Sequence, residues 1–425
     1  MQLFVRKAHI LQSNGEWEEE RKDVLVSEGI ITAIGHGLDI PPGATVIERP
    51  GVCLSPGWMD IGAFTGDPGL EHREDAESLA VAAMAGGYTA LAVLPNTLPA
   101  TDCKAAVVYQ LEQSQDKLVE YHPIGAVSAG CQGKALTEMY DMRAAGAVAF
   151  SDGLHPIQDN GLMLRAMQYV QPFDGLVINQ PLDGALAANG QLHEGLMSTS
   201  LGLKGIPAMA EVIMVQRDLR LSEYTGTRLH LQSLSAAAAV DLVRQAKSAG
   251  LRISAAVAAM NLVCDDHLLS EFDSRYKVMP PIREPADMLA LQNGLADGTI
   301  DCISSHHIPL DPESKHLEFP YAQFGAIGLE STFGVCWMHM SGRMKLAAFI
   351  RKICHAPRQI LGLPIPPVVV GAAAELTVFD PAQEWIFRTD HIRSRSDNSP
   401  FLGWRMKGAV LAVVNKGRIH VNPDR

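Results

Sequence analysis

Residues 228–250 read RLHLQSLSAAAAVDLVRQAKSAG, and this stretch sets out the unit from which most of the chain is built. Residues 228–231 form a short, largely apolar run of the length of a buried strand. Over 236–249, Val240, Leu242, Val243 and Ala246 recur at the spacing of one helical face, and Gly250 supplies a C-terminal stop. Strand followed by helix is one βα step. Apolar runs of the same kind stand at 53–59, 88–94, 121–127, 148–150, 176–178, 228–231, 252–257 and 302–304, with helix-like stretches between them. Eight strands alternating with helices over residues 52–370 predict an α/β fold, a (β/α)8 TIM barrel with a parallel sheet.

The two ends have a different texture. Residues 1–51 read as short strands at 3–10, 23–27, 30–34 and 45–47, separated by Ser13-Asn14-Gly15 and Pro41-Pro42-Gly43. Residues 371–425 return to strand patterns at 375–379, 385–387 and 410–414, and Asn415-Lys416-Gly417 turns the chain into 418–421. Neither end is long enough to enclose a good core alone. Together they are expected to form one small composite β-sandwich beside the barrel.

With 47% hydrophobic and 19% charged residues, the chain of 425 can bury a large core. Its formal charge of −12 disfavours general attraction to nucleic acid or an anionic membrane, although a local basic pocket is compatible with it. Seven scattered cysteines form no C-x-x-C pair, which suits buried thiols in a reducing compartment. The first residues open straight into a strand pattern without the apolar stretch of a signal peptide, and no apolar run is long enough to span a bilayer. A cytoplasmic protein, homo-oligomeric and without nucleic-acid or membrane partners, is the expectation.

In such a barrel the informative positions follow the carboxyl ends of the strands. After strand one stand Pro56-Gly57-Trp58-Met59-Asp60 and Pro68-Gly69-Leu70-Glu71-His72-Arg73-Glu74-Asp75; after strand two, Leu94-Pro95-Asn96-Thr97; after strand four, Phe150-Ser151-Asp152-Gly153. Further on come Pro280-Pro281-Ile282-Arg283, Asp297-Gly298-Thr299-Ile300-Asp301, Gly328-Leu329-Glu330 and Asn398-Ser399-Pro400-Phe401-Leu402-Gly403. In order and spacing these blocks resemble the dihydroorotase family of the amidohydrolase superfamily over nearly the whole chain. The resemblance implies a barrel flanked by a β-sandwich, zinc as cofactor, and the interconversion of N-carbamoyl-aspartate and dihydroorotate.

Against that implied pattern the chemistry-bearing positions depart. The family's His-x-His pair after strand one falls on Gly62 and Phe64, and its substrate-carboxylate arginine falls on Gly66. Histidine ligands after strands five and six fall on Gln180 and Ser233, and His306 of His306-His307-Ile308-Pro309 stands where the family has its catalytic aspartate. Asp152, a bridging ligand in this branch, survives at or next to its position, and no lysine suited to carboxylation ends strand four. A catalytic zinc normally takes three protein ligands from His, Asp, Glu or Cys. The expectation is therefore no catalytic residue, no metal and no cofactor, around a vestigial pocket of Asp60, Asn96, Asp152, Gln180, Ser233, His306 and His307.

Each of these residues also has a structural reading. Asp60 is a remnant metal neighbour or, the preferred reading, a cap for the loop after strand one. Asn96 matches a substrate-binding asparagine of the family and equally reads as a turn and helix start, and Asp152 before Gly153 reads as a turn. A relocated metal among His306, His307, Asp152, His230 and Asp60 is disfavoured, because adjacent side chains at a strand end point apart. Arg283 is expected to fix a loop or an interface, and His193 to be solvated. No G-x-S-x-G elbow and no phosphate-binding glycine loop occurs. The leading expectation is a non-catalytic structural or regulatory partner in pyrimidine biosynthesis, with aspartate carbamoyltransferase as the partner by analogy with family members of degenerate site. The alternatives are an active dihydroorotase or other cyclic amidohydrolase using zinc in an atypical site, and a small-molecule sensor lined by Asn96, Gln180, Ser233 and His306.

Overall fold

The computed structural model describes residues 2–12 and 21–422; the turn read at Ser13-Asn14-Gly15 lies outside them. The barrel strands are Trp58–Ala63, Tyr88–Val93, Glu120–Gly125, Ala149–Phe150, Leu176–Asn179, Arg228–Leu231, Ile253–Ala258 and Cys302–Ser304. They hydrogen-bond in that order, every ladder parallel. The seam between strands eight and one is closed by side chains: Ser304 Oγ donates to Ile61 O at 2.8 Å and the Ser305 amide to Asp60 at 2.7 Å. The helix predicted over 236–249 runs from Ala237–Ser248. Inward-facing Met59, Ile61, Ala92, Ile178 and Cys302 fill the barrel, and Ile360 and Leu361 of the helix His355–Leu361 join the same cluster.

The run read as one strand over 53–59 is two. Cys53–Pro56 pairs antiparallel with Leu376–Ile386 and parallel with Gln2–Ile10, whereas the barrel strand begins at Trp58. The break falls at Gly57, where a Cβ would lie 2.1 Å from Thr89 Oγ1. Only glycine lets the chain pass from one sheet to the other so close to strand two. The apolar pattern is continuous across this change of sheet, which is why the sequence shows a single run.

The terminal segments join in one eight-stranded sheet, ordered Arg418–Val421, Arg405–Asn415, Leu376–Ile386, Cys53–Pro56, Gln2–Ile10, Arg21–Ser27 and Ile30–Gly35, with Thr45–Ile47 parallel to Gln2–Ile10. The stretches read at 375–379 and 385–387 are one strand with an irregularity between Asp380 and Glu384. The sheet folds back on itself, since Ile31 N donates to Ala372 O and Ala374 N to Gly29 O. It encloses its own core of Leu3, Val5, Val24, Ile31, Leu376 and Val414. Trp58 ties the two units together, packing against Phe333 and Phe379 with ring centroids 4.8 and 5.2 Å apart.

Candidate functional site

Strand one and the loops after the barrel strands bring Asp60, Gly62, Phe64, Asn96, Asp152, Gln180, His306 and His307 to one end of the barrel, and most of their polar atoms are already engaged with protein. Asp60 is fully buried on strand one; its carboxylate accepts from Ser305 N at 2.7 Å and from Ser305 Oγ at 2.6 Å. It thereby pins strand eight to strand one and does not cap the following loop. Burial pushes its pKa up to about 6 against the opposing pull of the Ser305 bonds.

Gly62 adopts φ +94°, and a Cβ there would stand 2.9 Å from Nε2 of Gln232. That amide donates to Ile61 O at 2.9 Å and to Ser304 Oγ at 3.2 Å, so Gln232 occupies the space a side chain at 62 would take. Gln232 accepts in turn from His230 Nε2 at 2.9 Å, and His230 Nδ1 meets Ser254 Oγ at 2.8 Å. Because an amide oxygen only accepts, Nε2 of His230 carries the proton. Burial holds this imidazole down at about 4, so it is neutral at physiological pH. His230 on strand six and Gln232 just past its end both point inward, and that alternation is the signal by which Gln232 could have been singled out from sequence.

Phe64 is buried beneath the Arg73 guanidinium, 4.3 Å from its ring centroid, while Arg73 Nε donates to Pro309 O at 2.9 Å. At Gly66, φ is +71° and a Cβ would lie 2.2 Å from the Glu74 carbonyl. The backbone itself excludes an arginine there.

Asn96 straps two loops, its Nδ2 donating to Asp152 O at 3.0 Å and its Oδ1 accepting from Leu154 N at 2.9 Å. The Asp152 carboxylate accepts from Ser128 N at 2.8 Å and from Ser128 Oγ, and burial raises its pKa. Gln180 Nε2 donates to Met279 O at 3.1 Å. Ser233 is buried in a left-handed conformation at φ +56°, and its Oγ has no hydrogen-bond partner.

The two adjacent histidines part company. His306, at φ +47°, faces the small cavity of the mouth, and burial alone pushes its pKa down to about 4. His307 turns away: Gly328 N and, more weakly, Leu329 N approach its Nδ1, leaving Nε2 to donate to Glu74 at 3.1 Å. Glu74 is wholly buried and also accepts from Ser78 Oγ, Ser394 Oγ and Arg395 N. The cavity, lined by Gly62, Ser151, Gln180, Gln232 and His306 among others, measures about 10 Å³. That is close to the minimum for one water. Of the four residues expected to line a sensor pocket, it brings together Gln180 and His306; Asn96 and Ser233 lie outside its lining.

His193, expected in solvent, is buried, with Nδ1 2.9 Å from Arg283 Nη1. Arg283 also reaches Ser235 Oγ at 2.7 Å and Glu211 at 3.3 Å. This buried cluster ties the loop after strand five to those after strands six and seven. An isolated histidine in a polar stretch carries no sign of a distant arginine, hence the misreading.

These residues do not fit a dinuclear or single catalytic zinc. The carboxylates of Asp60 and Asp152 are engaged by serines, both nitrogens of His230 and His307 are taken, and His306 alone offers a ring. Among the described residues, the only set of three His, Cys or acidic groups close enough to share an ion is Asp265, Asp266 and His267, in the loop after strand seven. No helix among the described residues is long and apolar enough to cross a membrane.

A parallel barrel joined to a sheet built from both chain ends, with its site residues in the loops at the strands' carboxyl ends, is the architecture of the amidohydrolase superfamily. The L-hydantoinase (dihydropyrimidinase) from Arthrobacter aurescens superposes with a TM-score of 0.86 at 23% identity, over 100% of this chain and 96% of that one, a likeness of fold. The family model described as dihydro-orotase-like matches residues 51–238. A protein named dihydroorotase from Citrifermentans bemidjiense is 36% identical over 421 residues, 99% of each chain, and one from Pelotomaculum thermopropionicum is 39% identical over 408 residues, 96% of this chain and 95% of its own. The chain belongs to the dihydroorotase family.

Proposed function

We propose that this chain is a dihydroorotase-family protein of pyrimidine biosynthesis that does not itself open or close the cyclic amide, and that it serves in the cytoplasm as a structural or regulatory partner of aspartate carbamoyltransferase. One observation carries the reading: the positions that in the resemblance hold metal ligands carry Gly62, Phe64, Gln180, Ser233 and His306, and the cavity that Gly62, Gln180 and His306 line measures only about 10 Å³. A bound zinc would supply hydroxide at neutral pH by lowering the pKa of water from about 15.7 to about 7. With Asp60, Asp152, His230 and His307 committed to protein hydrogen bonds, no strong base is left to replace it. Binding of the acidic substrate is also unsupported, because the strand-one loop has no room for an arginine at Gly66.

A second reading, an active dihydroorotase with an atypical zinc site, is favoured by relatives of that name matching along nearly the whole chain. The two separate in one experiment. The purified protein is assayed for dihydroorotate hydrolysis with added zinc, then mixed with the carbamoyltransferase of the same organism and analysed by size exclusion. Absence of turnover together with co-elution is the expected result. Turnover that depends on zinc would establish the second reading.

A further inference from the structure

The opposite end of the barrel carries a second concavity. At the amino ends of strands five to seven and beside strand eight lies a pocket of about 400 Å³, lined by Arg228, Arg252, Ser254 and Asp301 and by apolar walls that include Leu176, Leu229 and Ile360. Small-molecule sites run from about 300 to about 1,000 Å³ and combine apolar walls with a few convergent polar groups. This pocket has that composition.

Its charges do not balance. Arg252 pairs with Asp174 at 2.7 Å, and Arg228 shares the same carboxylate only at 4.0 Å while donating to Ile360 O at 2.5 Å. Asp301, on the wall, already holds Lys247 at 2.6 Å and the Ala255 amide at 2.8 Å. One half-shared carboxylate thus faces two guanidiniums, which favour carboxylate and phosphate groups because each can donate two parallel hydrogen bonds. In a chain of net charge −12 a cationic concavity must be local to attract an anion at all.

We propose that this floor pocket binds a small organic oxyanion, a phosphate monoester or a carboxylate carried on an apolar body, with Arg228 and Arg252 gripping the oxygens and Leu176, Leu229 and Ile360 covering the body. Ser254, on its wall, is hydrogen-bonded through His230 and Gln232 to Ile61 and Ser304, so the pocket adjoins a polar chain that runs through the barrel to the closed mouth. The site is independent of whether the mouth is catalytic.

Calorimetric titration of the full chain with phenyl phosphate, benzoate and neutral benzamide tests it, since the three share a ring and differ in head group. One equivalent of phenyl phosphate or benzoate binds, the stronger of the two identifying the natural head group, and benzamide does not. Arg252→Gln and Arg228→Gln each weaken that binding about tenfold or more, whereas Arg220→Gln, on an exposed helix face paired with Glu223, leaves it unchanged. Thermal melts of each variant establish that it is folded; Arg252, half exposed, gives the variant least prone to unfold. Failure of both anions to bind, equal binding of benzamide, or affinity unchanged in folded Arg252→Gln would overturn the proposal.

Discussion

The two ends of the barrel differ in what their polar groups do. At the mouth, where the fold places its chemistry, Asp60, Asp152, His230, Gln232 and His307 are held by one another, by serines, by Glu74 and by backbone groups, around a void of about 10 Å³. At the floor, where loops ordinarily serve stability, arginines line a pocket of about 400 Å³ without enough carboxylate to satisfy them. Side chains of the kinds used in active sites can be held by one another and by the backbone, and groups available for binding then have to be sought elsewhere.

The contrast implies that substitutions at the mouth are costly and those at the floor are not. The sharpest break would come from restoring the histidine pair. Gly62→His with Phe64→His must force a side chain into a left-handed position against Gln232 and remove a buried ring beneath Arg73, so a loss of roughly 3–6 kcal/mol in urea-induced unfolding is expected. Wild-type stability in that double variant would show that the mouth still has room for ligands.

Next comes Glu74→Ala, which strips four hydrogen-bonding partners of their acceptor in a fully buried setting. A loss of about 3–5 kcal/mol is expected; a change within experimental scatter would mean that the His307–Glu74 pair does not hold the strand-eight loop.

Acidity sharpens the comparison further. His230 and His306 have folded pKa values near 4, below the ordinary value of 6.5, so the unfolded chain binds protons first. Their contribution is complete above about pH 6.5 and is lost as pH falls toward 4, by up to about 3 kcal/mol each. Asp60, raised to about 6, opposes this: its folded form holds a proton that the unfolded chain gives up, so its contribution is present at low pH and lost as pH rises through 6. Asp152, raised by burial, opposes in the same sense as Asp60; the two histidines, each displaced to about 4, outweigh them, and unfolding free energy should fall between pH 6.5 and 4.5. His306→Gln should flatten that slope, and an unchanged slope would remove His306 from the account. Smallest of all, Arg252→Gln at the floor should alter stability by no more than about 0.5 kcal/mol; a larger cost would make the pair with Asp174 structural.

Much of this was legible in the chain itself. Strands at 228–231 and 302–304 coincide with Arg228–Leu231 and Cys302–Ser304, because a buried parallel strand between turn residues leaves a compact apolar run. Against the family resemblance, Gly62, Phe64 and Gly66 could be read as positions that carry no donor side chain. What could not be read is what fills their place. Gln232 stands 170 positions from Gly62 and meets it only through barrel closure, and nothing local marks Ser305 as the partner of Asp60 or Arg283 as that of His193. The passage from terminal sheet to barrel at Gly57 was hidden for a related reason, since both sheets demand buried apolar residues there.

The most direct test of the central claim is the zinc content of the mouth. Crystals grown after equilibration with excess zinc, measured at the zinc absorption edge, locate each bound ion. No anomalous peak is expected among the mouth residues, whatever adheres to Asp265, Asp266 and His267 on the loop after strand seven. One or two ions held among Asp60, Asp152, His230, His306 and His307 would contradict it.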